Sequence, residues 1–242
     1  GLGRFGEAEA ALDRARRIAR ELDEPGGATT MHLRAAIIAL MAEDGAQAVE
    51  ASRRWLEAIS RLDWTVVQRR LGPMLLAMGS CAHALEGDVE LARAGIEEAR
   101  GPFAEESAFY HQALARTSLA SGETSLAATH ADEWVRLSVP ISQDGPARIF
   151  RARAWIRSEG RARVADALRD LESAQAVLDR LEIRSYAGRI EEARAEIAAA
   201  VGDETARLHH LREAERLDRA MGLDKRADAL ARQLGAIRQE GK

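Results

Sequence analysis

Cysteine, lysine and aromatic residues are all scarce in this sequence of 242 residues. Cys81 is the single cysteine, so no disulfide can form within the chain and a reducing compartment is expected. Aromatic residues make up only 4% of the chain, so the core has to consist mainly of Ala, Leu, Ile and Val. Only Lys225 and Lys242 are lysines, whereas arginine is abundant, and this usage is typical of a GC-rich bacterial genome.

Long apolar runs and a strong positive charge are also absent. No segment approaches about 18 uncharged apolar residues, the length that a membrane-spanning helix needs. Charged residues occur throughout positions 1–25, so we expect no secretory signal peptide. The net charge of -4 has the wrong sign for a dedicated nucleic-acid binder, which has to neutralise phosphates. We therefore expect a cytoplasmic protein that binds neither membrane nor nucleic acid.

Glycines recur along the chain at intervals typical of a helical repeat. The intervals are 42, 42, 35, 38 and 42 residues, and the glycines are Gly3, Gly45, Gly87, Gly122, Gly160 and Gly202. An alanine often follows five residues later, at Ala8, Ala92, Ala127 and Ala165. Since glycine adopts a positive φ at low cost, each glycine is predicted to form a tight turn between two antiparallel helices.

Apolar residues follow the helical spacing of three and four positions between these glycines, and no alternating strand pattern stands out. Twelve helices are predicted, over 5–23, 28–42, 46–62, 64–85, 88–100, 105–121, 123–138, 146–158, 162–181, 186–201, 203–221 and 225–239. Pro73 is expected to kink or split the fourth helix. The polar break at 139–146 is the candidate hinge.

The first residues spell the glycine fingerprint of a dinucleotide site at Gly1, Gly3 and Gly6. That site needs a preceding strand and a surrounding βαβ unit, and the sequence predicts neither. Gly3 shares the register of the later turn glycines, which favours an inter-helix turn. The first helix then lacks the partner helix that precedes every other turn, so we expect the chain to begin within a repeat of a longer protein.

Two segments resemble the tetratricopeptide repeat, in which a glycine turn is followed by an acidic residue and then an alanine. They are LEGDVELARAGIEEA at 85–99 and ASGETSLAATHA at 120–131. The resemblance extends over nearly the whole chain as five hairpins flanked by a half repeat and a terminal helix. It implies an all-α fold, a right-handed α-α superhelix of antiparallel hairpins, formed as one array over 1–242.

Residues 193–234 resemble the end of the helical-repeat region of large bacterial signalling proteins. Those proteins carry a nucleotide cyclase, a protein kinase or a regulatory ATPase before the repeats. The resemblance implies a non-catalytic interaction and regulatory scaffold, whose partner is a protein or peptide and could be the parent's own catalytic domain. The alternative is a peptide or small-ligand sensor domain of a transcriptional regulator or Ser/Thr kinase.

No residue pattern indicates catalysis, a cofactor or a metal. Cys81 and His83 are two positions apart and diverge on a helix, and so do the adjacent His209 and His210. Glutamate pairs have arginines nearby, as surface helices usually do. Neither a phosphate-binding loop nor a nucleophile elbow is present. Cys81 is expected to be a buried, inert thiol.

Residues 145–170 form the most basic stretch, and Arg153, Arg157 and Arg161 share one helical face there. One interpretation is an anionic peptide or phosphate site, formed by Arg148, Arg153, Arg157, Arg161 and Trp155. The other is a solvated arginine face whose side chains pack over the core. If the first holds, replacing Arg153 and Arg157 by Glu should weaken partner binding without unfolding. Trp55, Trp64, Trp134 and Trp155 are expected to be mainly core residues, with Trp64 partly exposed at the start of its helix.

Overall fold

The computed structural model describes residues 5–21, 25–60, 65–101, 106–138 and 144–240. These residues form twelve α-helices and one 3-10 helix, which covers Gly160–Arg163 between the eighth and ninth helices. The α-helices are α1 (Phe5–Glu21), α2 (Pro25–Ala42), α3 (Gly45–Ser60), α4 (Thr65–Glu86), α5 (Val89–Ala99), α6 (Ala108–Ala120), α7 (Thr124–Leu137), α8 (Asp144–Glu159), α9 (Val164–Arg180), α10 (Ala187–Val201), α11 (Glu204–Ala220) and α12 (Asp224–Glu240).

The all-α prediction is confirmed, since no strand occurs within the described ranges. Each predicted helix corresponds to one observed helix. The starts differ most at α2, predicted at 28 and observed at Pro25, and at α6, predicted at 105 and observed at Ala108. Gly1 and Gly3 lie outside the described residues. The βαβ unit that a dinucleotide site requires is not found in the part of the chain that the structure describes.

Contacts between Cα atoms divide the chain into two compact units. The N-terminal unit is Gly6–Leu137, and the C-terminal unit contains Ser138–Lys242. In the first, α2 packs on α3, α4 on α5, and α6 on α7, while α4 also packs on α3 and α6. In the second, α8 packs on α9, α10 on α11, α11 on α12, and α8 also contacts α10. Sequential antiparallel packing is what short connections produce.

Small residues allow the helices of the N-terminal unit to approach closely. Its main core combines many alanines with a few large side chains, among them Met78, Ile96 and Tyr110. A second cluster contains Trp55, Ile59 and Leu75. Trp55 and Trp134 are both buried, as expected from the sequence, whereas Trp64 lies outside the described residues.

Two glycines set the helix spacing in the C-terminal unit. A Cβ atom on Gly145 of α8 would lie 2.9 Å from Leu178 Cγ of α9. A Cβ atom on Gly188 of α10 would lie 2.8 Å from Cγ of Asp218 in α11. Further along, α11 and α12 share an apolar core of Leu211, Ala214, Leu230 and Leu234 together with Ala195 of α10.

The predicted turn glycines Gly87, Gly122, Gly160 and Gly202 all have positive φ values, between 59° and 83°. After Gly87, the Asp88 N–H donates to His83 O at 2.9 Å, a bond that closes the end of α4. Gly45 differs from the prediction. Glu43 takes the positive φ of that turn, at 55°, and Gly45 is instead the buried first residue of α3, where a Cβ would lie 2.9 Å from Ala82 O.

The spacing of five positions from a turn glycine to an inward-facing alanine holds at Ala92 and Ala127, both of which are completely buried. It fails after Gly160, because Ala165 is exposed and Ala167 is the buried residue. The cause is the 3-10 helix at Gly160–Arg163, which separates α8 from α9 and shifts the inward face of α9 by two positions.

Three further predictions concern single segments. Pro73 is predicted to kink or split the fourth helix; α4 is one continuous helix with Pro73 inside it, so Pro73 does not split it. Proline removes one backbone hydrogen bond, and the buried residues Leu75, Ala77 and Met78 in the following turn hold the helix in place. Most of the candidate hinge at 139–146 lies outside the described residues. Among the described residues, no helix combines the length and apolarity that crossing a bilayer requires.

Candidate partner-binding surfaces

Arg153 and Arg157 share the face of α8 that is directed to α10, whereas Arg161 is not on that helix, because α8 ends at Glu159. Arg153 donates through Nη2 to Glu192 Oε1 at 2.8 Å and to Glu196 Oε1 at 2.7 Å. Arg157 donates to Glu196 through Nε at 3.1 Å and Nη2 at 2.7 Å. The Arg153 side chain is only 17% exposed. The guanidinium groups of Arg153 and Arg157 therefore link α8 to α10 by hydrogen bonds.

Arg161 lies in the 3-10 helix and binds the end of α10. Its Nε donates to Ala200 O at 2.9 Å and its Nη2 donates to Val201 O at 2.7 Å. The last carbonyls of a helix have no partner within the helix and carry the negative end of its dipole. Arg161 supplies both hydrogen bonds and a positive charge there, so it caps α10.

Arg148 and Trp155 lie on a different face of α8. Arg148 pairs with Asp144 at 2.9 Å and with Asp170 of α9 at 3.1 Å. The half-buried Trp155 ring has two guanidinium groups against it, with Arg151 at 4.5 Å and Arg163 at 4.9 Å from the ring centroid. The structure thus does not gather the five predicted site residues into one open cationic site.

A chain of opposite charges continues from these pairs to α12. Arg226 donates through Nη2 to Glu192 Oε2 at 2.8 Å and through Nε to Asp218 Oδ2 at 3.0 Å. Asp218 of α11 is 1% exposed. Sequence analysis did not identify Glu192, Asp218 and Arg226 as a group, because they lie far apart in the sequence and each looks like an ordinary surface charge.

Burial and the neighbouring arginines shift the pKa values of two of these carboxyls, Glu196 and Asp218, in opposite directions. Burial favours the neutral form of Glu196, but Arg153 and Arg157 outweigh it and lower the pKa of Glu196 below its ordinary value. Burial dominates at Asp218 and raises its pKa, although Arg226 and Arg189 act against the rise. Glu196 is therefore stabilised as a carboxylate, whereas burial of Asp218 favours its neutral form.

A groove on the N-terminal unit was missed by sequence analysis. It lies between α5 and α7 above α6 and has a volume of about 520 Å³. Its apolar lining consists of Ala94, Ile96, Leu114 and Leu126, and its charged edge consists of Glu90, Arg93, Glu97, Arg100 and Glu123. Its sequence signal is a single exposed leucine, Leu126, which an amphipathic pattern does not distinguish from a core residue.

Leu126 is 45% exposed and lies on the groove side of α7, close to the half-buried Leu114 of α6. Arg93 of α5 reaches across the groove edge, within 3.5 Å of Glu123 before α7. Thr117 of α6 also lines the groove; it is buried, and its hydroxyl has no hydrogen-bond partner in the structure as described. The groove thus combines apolar contact area with a charged edge.

The thiol and imidazole groups do not assemble into a metal site. Within the described ranges, no group of three His, Cys, Asp or Glu side chains is placed to hold a metal ion. Cys81 is buried, and burial raises the pKa of its thiol to about 12. The thiol is therefore protonated at neutral pH and is a poor nucleophile.

Comparison with known proteins does not identify a function for these surfaces. The chain matches no family model, no curated protein and no solved structure.

Proposed function

We propose that the chain is a non-catalytic scaffold that binds a segment of another protein in the groove between α5 and α7. The observation that carries the proposal is the exposed Leu126 beside the half-buried Leu114 in a groove with a mixed charged edge. Its volume lies within the roughly 300–1,000 Å³ of ordinary ligand sites. An apolar centre surrounded by charged residues is the usual composition of a protein-binding surface.

The arginine face of α8 is the weaker candidate surface. Its cations already pair with Glu192, Glu196 or the carbonyls of α10, so an anionic ligand would have to displace those groups. Leu126 has no such competitor, and water is all that a partner side chain would displace there. The proposal therefore moves the principal binding surface from the arginines to the groove.

The proposal includes a tetratricopeptide-like stacking of the hairpins within each unit. Two packing features support it. The first helices of neighbouring hairpins pack on each other, α4 on α6 and α8 on α10. Gly145 and Gly188 occupy matching places at the starts of α8 and α10, and each allows close approach of the following helix. Stacked hairpins of this type bury the apolar face that a single hairpin leaves open.

We further propose that the scaffold belongs to a multidomain bacterial signalling protein, whose catalytic domain could be the partner. The support is the resemblance of residues 193–234 to the helical-repeat regions of such proteins. Reading the coding DNA around this segment tests it. A cyclase, kinase or ATPase domain in the same frame is the expected result, whereas an open reading frame without any such domain overturns it.

Co-purification tests the groove itself. A tagged chain would be expressed in the organism that encodes it, in three forms: unchanged, Leu126→Glu and Leu168→Glu. Leu168 of α9 is a matched control, because it is 40% exposed and lies outside the groove. We expect a bound protein to be retained by the Leu168→Glu form and lost at least tenfold in the Leu126→Glu form. Equal recovery with both variants would overturn the assignment of the groove.

A further inference from the structure

Glu192 is shared between two arginines that belong to different helices. Its Oε1 accepts a hydrogen bond from Arg153 of α8, and its Oε2 accepts one from Arg226 of α12, both at 2.8 Å. Because each arginine uses its own oxygen, the two bonds form at the same time and do not compete. Glu192 itself is on α10, and its side chain is 20% exposed.

The two arginines are fixed on their outer sides as well. Arg153 also binds Glu196 through Nε at 3.0 Å, and Glu196 binds Arg157. Arg226 also binds the buried Asp218 of α11. The result is one sequence of alternating charges, whose members lie on α8, α10, α12 and α11. They are Arg157, Glu196, Arg153, Glu192, Arg226 and Asp218. Bidentate and charge-assisted bonds of this kind are the strong ones among surface and half-buried pairs.

Helix packing connects α8 to α12 through α10 and α11, because α8 packs on α10, α10 on α11 and α11 on α12. The helix α8 packs on α9 and α10, whereas α12 packs on α11 through Leu230 and Leu234. The attachment of α12 to α10 includes the Arg226–Glu192 bond in its first turn. If α12 moves away, Glu192 and the buried Asp218 both lose a cation, and an uncompensated buried charge is costly.

We propose that Glu192 couples α8 to α12, so that a change at Arg153 alters how firmly α12 is held. Arg153 fixes the Glu192 carboxylate in the orientation that presents Oε2 to Arg226. Without Arg153, the carboxylate regains rotational freedom and is better solvated when it turns away from α12. The coupling is therefore positive, and loss of either arginine weakens the bond that the other makes. Charge networks with two ordered ends can transmit such effects because their members interact non-additively.

Hydrogen exchange of the complete chain tests the coupling. Exchange of residues 224–240 in α12 would be measured for the unchanged chain, Arg153→Gln, Glu192→Gln and the variant with both changes. Arg216→Gln is the matched control, since Arg216 pairs with Glu213 on the exposed side of α11, outside the sequence of charges. Residues 164–180 in α9 report general loss of stability.

We expect Arg153→Gln to speed exchange in α12 by roughly fivefold or more, a typical size for coupling between sites. Residues 164–180 should change less. In the Glu192→Gln background, Arg153→Gln should have no further effect on α12, because the shared carboxylate is gone. Arg216→Gln should leave exchange in α12 as it is.

Several results would overturn the coupling. They are unchanged or slower exchange in α12 after Arg153→Gln, equal acceleration of α9 and α12, or the same effect of Arg153→Gln with and without Glu192. If Arg153→Gln unfolds the unit, Arg153→Lys replaces it. Lysine keeps the charge but lacks the planar fork that binds two carboxylates, so it should speed exchange in α12 in the same direction by a smaller factor. Unchanged exchange in that variant would reject the proposal.

Discussion

Arg153 donates hydrogen bonds to two carboxylates of α10, and these bonds determine the effect of any substitution there. Arg157 and Arg161, four and eight positions later, also bind α10. The sequence predicts from spacing alone that the three arginines share one helical face. It does not predict the partners, because Glu192 and Glu196 are on α10, far away in the sequence, and similar glutamates occur on many of the other helices.

Reversing two of these charges should destabilise the C-terminal unit. With Arg153→Glu and Arg157→Glu together, the hydrogen bonds to Glu192 and Glu196 are lost and two new carboxylates face those glutamates across the α8–α10 contact. We expect the free energy of unfolding to fall by about 2 kcal/mol or more, since each pair is partly buried and the replacement is repulsive. Urea denaturation followed by circular dichroism measures it. The sequence-based expectation that this double variant weakens binding while keeping its stability would then fail.

The matched control reverses two arginines that do not join helices. Arg169 pairs with Asp166, and Arg216 pairs with Glu213, each within its own helix. Arg169→Glu with Arg216→Glu should lower the free energy of unfolding far less than the α8 double variant does, because both side chains are exposed. If the free energy of unfolding fell as much in the control as in the α8 double variant, Arg153 and Arg157 would not hold α8 to α10 as we assign.

Gly188 gives a second prediction at the scale of one residue. A methyl group there would lie 2.8 Å from Asp218 Cγ, and Asp218 is held by Arg226, so the side chain has no room to withdraw. We expect Gly188→Ala to lower the free energy of unfolding by about 1–3 kcal/mol. In contrast, Gly235→Ala in α12 meets open space and should raise it by roughly 0.5–1 kcal/mol, because alanine is the better helix former. Shifts of the urea midpoint in the same direction for both variants would disprove the close approach of Gly188 to Asp218.

Individual helices were predictable because their apolar periodicity and turn glycines agree. The turn after α2 shows the limit of that approach. There Glu43 adopts the left-handed conformation and its N–H donates to Leu40 O, whereas Gly45 is the first residue of α3. A glycine near a turn signals the turn but not which residue takes the positive φ. In the same way, nothing in the sequence signals the 3-10 helix that shifts Ala165 outward and Ala167 inward.

The contact between α8 and α10 should be sensitive to acid. Arg153 and Arg157 lower the pKa of Glu196, so its contribution to stability is complete above the ordinary glutamate pKa and is lost as the pH falls through the lowered value. Asp218 has the opposite sign, since its raised pKa means that protonation relieves a cost. The chain should therefore lose stability between about pH 5 and pH 3 less steeply once Glu196 is replaced by Gln.

Urea midpoints of the unchanged chain and of Glu196→Gln at several pH values measure that slope. Glu172→Gln is the control, because Glu172 is exposed on α9 and has no partner in the structure as described. It should keep the slope of the unchanged chain. Identical slopes for all three proteins would show that the ion pairs of Glu196 contribute nothing to the α8–α10 contact.

At the scale of the whole molecule, composition and periodicity predict an all-α chain, while the surface that we assign to partner binding came only from the structure. The groove needs α5, α6 and α7 together, and its lining residues are spread from Glu90 to Leu126. No single helix pattern contains it. The arginine cluster, by contrast, is conspicuous in the sequence, yet its charges are largely balanced within the fold. Conspicuous charge in a helical repeat is therefore a weak guide to the binding surface.

Photo-crosslinking from the groove tests the central claim, that this chain binds another protein there, most directly. A photoreactive phenylalanine analogue would replace Leu126 in one chain and Leu168 in another, and both would be irradiated in the organism that encodes the protein. The account predicts a covalent adduct with one defined protein from position 126 and none from position 168. Adducts of equal yield from both positions, or none from position 126, would contradict it.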